Sequence, residues 1–172
     1  MLEIAREKVP GVEFINGDMK KLDLERKFDV VICMFSAMNY NLTFEELKLT
    51  LTNFYSHLNK GGLLIFDLGI NKENWVEGNV SVDTVVDKDL KLARISKAHL
   101  ENGVLNSNFI FLVKESGKID FDIDEHKLGV FGIKEVKELM EDMGFETVIY
   151  SNFKDEIYEI GNRERPVFMG IK

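Results

Sequence analysis

Three short stretches carry side chains able to do chemistry. In "VEFINGDM" (12–19) an apolar run closes on Gly17 and Asp18. A carboxylate there can accept hydrogen bonds from an adenine amino group or a ribose, and Gly-Asp is equally good turn chemistry. In "CMFSAMNY" (33–40), Met34 and Phe35 can wall a flat ring, with polar groups of Ser36, Asn39 and Tyr40 following toward the same cleft. Taken singly, apolar strand residues such as Met34 and Phe35 also suit a core. In "DEHKLGVFG" (124–132), His126 stands among acidic neighbours. A histidine can act as general base or hydrogen-bond donor near neutral pH, and a surface histidine has the same surroundings. Asp67 closes "LLIFD", where a carboxylate can meet a substrate. His57 falls near a helix C-terminus, where a cation is favourable, and His99 falls in a hairpin strand. One cysteine and scattered histidines give no metal-ligand spacing. Neither a nucleotide P-loop nor a Gly-x-Ser-x-Gly elbow occurs.

The elements that must position these residues can be read from periodicity. "MLEIAREKVP" is the tail half of a helix: a narrow apolar stripe (Met1, Leu2, Ile4, Ala5), no capping residue ahead, and Pro10 forbidding continuation. "VEFIN" is a short strand. "FDVVICMF" (28–35) is a continuous β-branched and aromatic run without alternation, which predicts a strand covered on both faces in a parallel sheet. Thr43 offers an N-cap, with Glu46 three residues on as a capping box. The helix that follows runs to about Leu58, burying Leu47, Leu51, Phe54, Tyr55 and Leu58, and "NKGG" is expected to end it. "LLIFDLG" (63–69) is a second buried strand. Helix, strand, strand, helix, strand is α/β winding on a parallel sheet. From residue 76 to 131 the chain alternates apolar and polar residues, with turns at "DKD", "ENG" and "ESGK". That is an antiparallel insertion of three or four strands. An amphipathic helix "IKEVKELMEDMG", stopped at Gly144, and two strands, "FETVIYS" and "RPVFMGIK", resume the α/β pattern. The three chemical stretches then fall at strand ends, where open α/β sheets bind ligands.

Bulk properties narrow the function. The 172 residues suit one domain. A formal net charge of -8 opposes phosphate backbones, so no nucleic-acid partner is expected. No apolar run approaches the ~20 residues of a membrane span, and the charged, amphipathic opening is not a signal peptide. The lone Cys33 allows no intrachain disulfide and suits a reducing compartment, so a cytoplasmic location is expected.

The order "MLEIARE…VEFINGDM…FDVVICMFSAMNY…L…HLNKGGLLIFD" resembles the class I S-adenosylmethionine-dependent methyltransferases. It is most similar to those that N,N-dimethylate amino sugars on dTDP carriers. The resemblance spans essentially the whole chain, including the insertion and the pattern of His126, Leu128 and Phe131. It implies a Rossmann-like sheet and S-adenosylmethionine as cofactor. Asp18 would hold the adenine amino group, with the Met19 backbone nearby, and Met34, Phe35 and Ser36 would line the cofactor. Tyr40, Trp75 and His126 would face a small-molecule acceptor. The insertion would form the acceptor pocket and a contact in a homodimer. Such a transfer is a displacement at a sulfonium methyl, in which alignment alone contributes roughly 7–11 kcal/mol. His126 would deliver the unprotonated amine.

The resemblance also implies what to look for and not find. The glycine loop, which lets backbone approach the cofactor closely, has no counterpart here: no Gly-x-Gly occurs. The sheet is expected to lack its first two strands and the ribose-binding acid. In the implied strand order, 3-2-1-4-5-7-6, "VEFIN" and "FDVVICMF" would flank a gap of roughly 14 Å. Closure by direct pairing or by another copy of the chain is expected, because bare backbone is costly. Weak or undetectable cofactor binding follows. Three expectations stand: a longer gene product that is the full methyltransferase, a short chain kept as an oligomerising or acceptor-binding module, or a structural domain similar only in fold.

Overall fold

The computed structural model describes residues 2–172; Met1, first residue of the expected opening helix, lies outside the described residues. Helix α1 (Leu2–Lys8) ends before Pro10, as expected, and buries none of its residues. The segment 12–18 that follows forms no strand. The expected "VEFIN" strand is thus corrected to unpaired chain. A strand exists through its ladder, and "VEFIN" has the pattern of one without a neighbour to pair with.

Strand β1 (Phe28–Cys33) pairs in parallel with β2 (Leu58–Asp67), and a single 3₁₀ turn (Ala37–Tyr40) and helix α2 (Phe44–His57) connect them. Thr43 Oγ1 accepts the Glu46 N–H at 3.1 Å, as the capping motif predicts. The reciprocal arm reaches one residue further: Glu46 Oε2 accepts from the Leu42 N–H at 2.7 Å. Helix α2 stops at His57 without help from the expected glycine cap. Leu58 turns extended, and Gly61, at φ 76°, serves the turn into the strand instead. Lys172 closes this helix end by donating to the carbonyls of Tyr55 and Leu58 at 2.6 and 2.9 Å.

The first sheet is completed by β8 (Pro166–Ile171) and β7 (Glu146–Ser151), in the order β1-β2-β8-β7, with β8 antiparallel to both neighbours. This is the 4-5-7-6 half of the implied strand order. Helix α3 (Ile133–Asp142) packs beside β7 and β8 and ends at Gly144, whose φ of 95° suits glycine. Leu47 and Leu51 of α2, Val136 and Met140 of α3, and Leu64, Phe66 and Phe168 of the sheet form one buried cluster. Phe66 and Phe168 lie opposite each other on neighbouring strands and stack with centroids 4.8 Å apart.

Only one face of β1 joins that core. Val31 and Cys33 pack on it, while Val30 and Ile32 alternate away and stand 47% and 62% exposed. The expected double coverage is corrected accordingly. The loop 17–24 reaches Phe28 and Val30 across an apolar cleft of about 300 Å³, and β1 forms an edge of its sheet.

The insertion is a separate sheet of four antiparallel strands: β3 (Val80–Val86), β4 (Leu90–Glu101), β5 (Val104–Glu115) and β6 (Lys118–Gly129). Its two tightest turns are Asn102-Gly103 and Ser116-Gly117, all four residues at φ between 49° and 80°. That conformation matches the twist of the strands and explains why "ENG" and "ESGK" were turn signals. Asn39, fully buried in the 3₁₀ turn, ties the two sheets together. Its amide donates to Ile70 O, just past β2, at 2.7 Å and to Gly129 O, at the end of β6, at 2.8 Å.

Candidate functional site

The parallel pair β1–β2 ends at Cys33 and Asp67, and the chain leaving β1 does something unusual. Phe35 and Ser36 both adopt the left-handed conformation, at φ 59° and 63°. Two consecutive non-glycine residues there cost roughly 1–2 kcal/mol each. Such strain persists only where surroundings hold it, and it clusters at ligand sites. The holder is Asp67, whose side chain is fully buried. Its carboxylate accepts the Ser36 N–H at 3.1 and 3.2 Å, one contact per oxygen. Arg165, just before β8, donates to the same carboxylate at 3.1 Å. Burial, and then the negative charge of Asp67, push the neighbouring Cys33 thiol up to about 11. Gly69 fits the same knot: a Cβ there would collide with Ser36 Oγ and crowd the Arg165 guanidinium.

Above this knot lies a pocket of about 460 Å³ between the two sheets. The first sheet and its loops contribute Phe35, Ser36, Tyr40, Gly69, Ile70 and Arg165. One face of the second sheet contributes Arg94, Phe109, Phe111, His126 and Leu128. Their common face follows from register. Arg94 opposes Phe111, and Ser107 opposes His126, so alternate residues of β4, β5 and β6 share a side. Tyr40 Oη lies 2.8 Å from His126 Nδ1, and His126 Nε2 lies 2.9 Å from Asp124 Oδ2. The Phe109 ring meets His126 edge-on, with centroids 5.3 Å apart. Arg94 sits over the Phe109 ring at 5.6 Å and donates twice to Asp83, at 2.6 and 3.1 Å.

The sequence-predicted residues therefore divide. Phe35, Ser36, Tyr40 and His126 meet in one pocket. Met34, half-buried at the end of β1, does not line it. Asp18 forms a turn, its side chain accepting from Lys20 N at 2.9 Å and its carbonyl from Leu22 N at 2.8 Å. Met19 lines the apolar cleft beside α2, and Asn53 donates to its carbonyl at 2.9 Å. Trp75 lies outside the 460 Å³ pocket and donates to Glu77 at 3.2 Å. Arg94, Phe109, Phe111 and Arg165 were not singled out from the sequence. Alternation along β4 and β5 is the signal for the first three. Arg165 follows an irregular loop and carries none.

A methyltransferase-domain family profile matches residues 1–62. The dTDP-3-amino-3,4,6-trideoxy-α-D-glucopyranose N,N-dimethyltransferase of Streptomyces venezuelae is 30% identical over 99% of this chain and 69% of its own length. The dTDP-3-amino-3,6-dideoxy-α-D-glucopyranose N,N-dimethyltransferase of Streptomyces fradiae is 28% identical over 76% of the chain and 52% of its own length. The chain thus spans between half and about two thirds of these relatives. Among solved structures, DesVI of S. venezuelae superposes with a TM-score of 0.85 at 27% identity, covering 99% of this chain and 69% of DesVI. The amino pentose methyltransferase CalS10 of Micromonospora echinaspora, solved with S-adenosylmethionine bound, gives 0.84 at 25% identity over the same shares.

Proposed function

The chain belongs to the S-adenosylmethionine-dependent methyltransferase family, and from that premise we propose that it serves N-methylation of an amino group on a nucleotide-linked sugar. One observation carries the reading. The pocket at the ends of the parallel strands joins a strained, carboxylate-held turn to a Tyr–His pair, in a chain 30% identical to a sugar N,N-dimethyltransferase over 99% of its length.

The residues present fit the reactive end of S-adenosylmethionine. Phe35 is 85% exposed, and its ring can attract a cationic centre. The absent Cβ at Gly69 leaves the turn beside it room. The cofactor supplies a methyl on a positive sulfur. The chain's own task is to seat the acceptor, orient its nitrogen and take away a proton. Phe109 and Phe111 offer apolar faces to a deoxysugar ring, and Arg94 and Arg165 offer donors to anionic oxygens. Asp18 does not line the pocket that holds Phe35, which supports weak cofactor capture by these residues alone.

The test is direct. The 172-residue chain is incubated with S-adenosylmethionine and a dTDP-linked amino sugar, and the sugar is followed by mass spectrometry. Addition of one or two methyl groups supports the reading. Absence of methylated sugar, with calorimetry finding no cofactor binding, favours an acceptor-binding or oligomerising role without catalysis. The second sheet favours a homodimer. Its face away from the pocket carries rows Val82–Ile95–Ile110–Ile123 and Thr84–Ala93–Leu112–Phe121 in register. Lys97 and Glu125 share a further row on that face and can pair across a two-fold axis.

A further inference from the structure

We infer that Asp124, His126 and Tyr40 form a proton relay, with the Tyr40 oxygen as its pocket end and Asp124 as a positioning residue. The inference rests on the methyl-transfer reading and assigns its proton path. Asp124 and His126 are two apart on β6, so both side chains leave the same face of the sheet. An ionised carboxylate only accepts hydrogen bonds. The 2.9 Å contact to Asp124 Oδ2 therefore puts the imidazole proton on Nε2. Nδ1 is then a lone pair, and at 2.8 Å it receives the hydroxyl proton of Tyr40. The tyrosine oxygen keeps its own lone pairs for a donor in the pocket. Both side chains line the pocket; Tyr40 is 51% exposed, and the His126 side chain is 31% exposed and flanked by Phe109.

The proton path balances. An acceptor ammonium gives one proton to the Tyr40 oxygen while the original hydroxyl proton passes to His126 Nδ1. The amine gains its lone pair, the phenol is restored, and an imidazolium remains beside the Asp124 carboxylate until water removes its proton. A second methylation repeats the path. The charged groups on the imidazole's side are Asp124 and Asp122 on its own strand, Arg94 and Asp83 on the same face of the sheet, and Arg165 across the pocket. Ser107 opposes His126 across the ladder, and Tyr40 is the neighbour from the 3₁₀ turn.

The test needs no turnover at first. Nuclear magnetic resonance on the full chain labelled with ¹⁵N-histidine, with His126 assigned by its loss in His126→Gln, reads which nitrogen carries the proton. Expected is a proton on Nε2 and a coupling from the Tyr40 hydroxyl proton to Nδ1. A proton on Nδ1 at neutral pH overturns the relay. Asp124→Ala is expected to scramble the two imidazole forms and Asp124→Asn to keep the Nε2 proton, because the amide oxygen still accepts; no change in Asp124→Ala overturns the positioning role. In a methylation assay, Tyr40→Phe and His126→Gln should each lower kcat at neutral pH by roughly 10²-fold, with the double variant no worse than the lower single. Asp124→Asn should leave the acceptor KM unchanged. Multiplying effects in the double variant overturn the relay. Absence of turnover in the unaltered chain counts against methyl transfer itself, and the resonance data still decide whether the relay is built.

Discussion

At the scale of single residues, the site is a small set of compensations around Asp67. A buried carboxylate without partners is costly, and charge-assisted bonds to it contribute about 1.5–3 kcal/mol each. Here the partners are the Arg165 guanidinium, its side chain 36% exposed, and the strained Ser36 amide. Asp67→Asn should lower stability by about 2 kcal/mol, because Arg165 loses its charge partner while Ser36 keeps an acceptor. A drop in the urea midpoint without a change in slope checks it. Cys33, beside the same carboxylate, reports chiefly on burial. With its thiol pushed up to about 11, roughly one molecule in a thousand is a thiolate at pH 8. A disulfide reagent should modify Cys33 far more slowly than a free thiol, and at the free rate in denaturant; fast labelling of the folded chain would contradict the burial. The sequence showed Phe35, Ser36, Tyr40 and His126 because each sits at or near a strand end, a place periodicity can locate. It hid Asp124 behind its own neighbourhood. "DEH" reads as a charged run until alternation is applied, when Asp124 joins His126 and Glu125 goes to the other face. At Asp18 a Gly-Asp turn and a ligand carboxylate have the same letters, and the structure shows the turn, through the Lys20 and Leu22 amides.

At the scale of elements, legibility followed local chemistry and failed where tertiary pairing decides. Helix α2, the four hairpin strands and α3 are where caps, turn glycines and alternation put them. The "VEFIN" strand and the double coverage of β1 needed a neighbour that no local pattern can supply, and neither is seen. The cap of α2 can be tested on its own. Thr43→Ala removes the acceptor of the Glu46 amide and should cost about 1 kcal/mol in chemical denaturation. The Leu42 amide, and then Lys20, hold the Glu46 carboxyl below its ordinary value of 4.5. A group with a lowered folded value contributes stability above its unfolded value and loses it as pH falls through the folded one. Glu46→Gln should therefore be less stable than the parent at neutral pH, with the difference shrinking as pH drops below 4.5. A difference that persisted at low pH would mean the loss is packing and not charge.

At the scale of the whole molecule, two sheets joined through Asn39 present very different surfaces. The face of the second sheet that lines the pocket mixes Arg94 with aromatics. Its other face is an apolar ladder, with Ile123 57%, Phe121 64% and Ile119 78% exposed. Contiguous exposed apolar surface of this kind marks an interaction site. A two-fold partner suits it because one sheet face placed on its own copy matches apolar rows with apolar rows. It also meets Lys97 with Glu125, whereas a foreign partner would have to reproduce both features. The proposed homodimer leaves both pockets open, since the contact uses the side of β4, β5 and β6 that the pocket does not. Ile123→Lys should therefore dissociate the dimer. It should change the circular dichroism little, because Ile123 is already exposed within one copy, and it should leave the Tyr40–His126 contact in place. Sedimentation velocity decides: a dimer for the parent and a monomer for Ile123→Lys is expected. A parent that sediments as a monomer at tens of micromolar would mean that another partner covers the ladder.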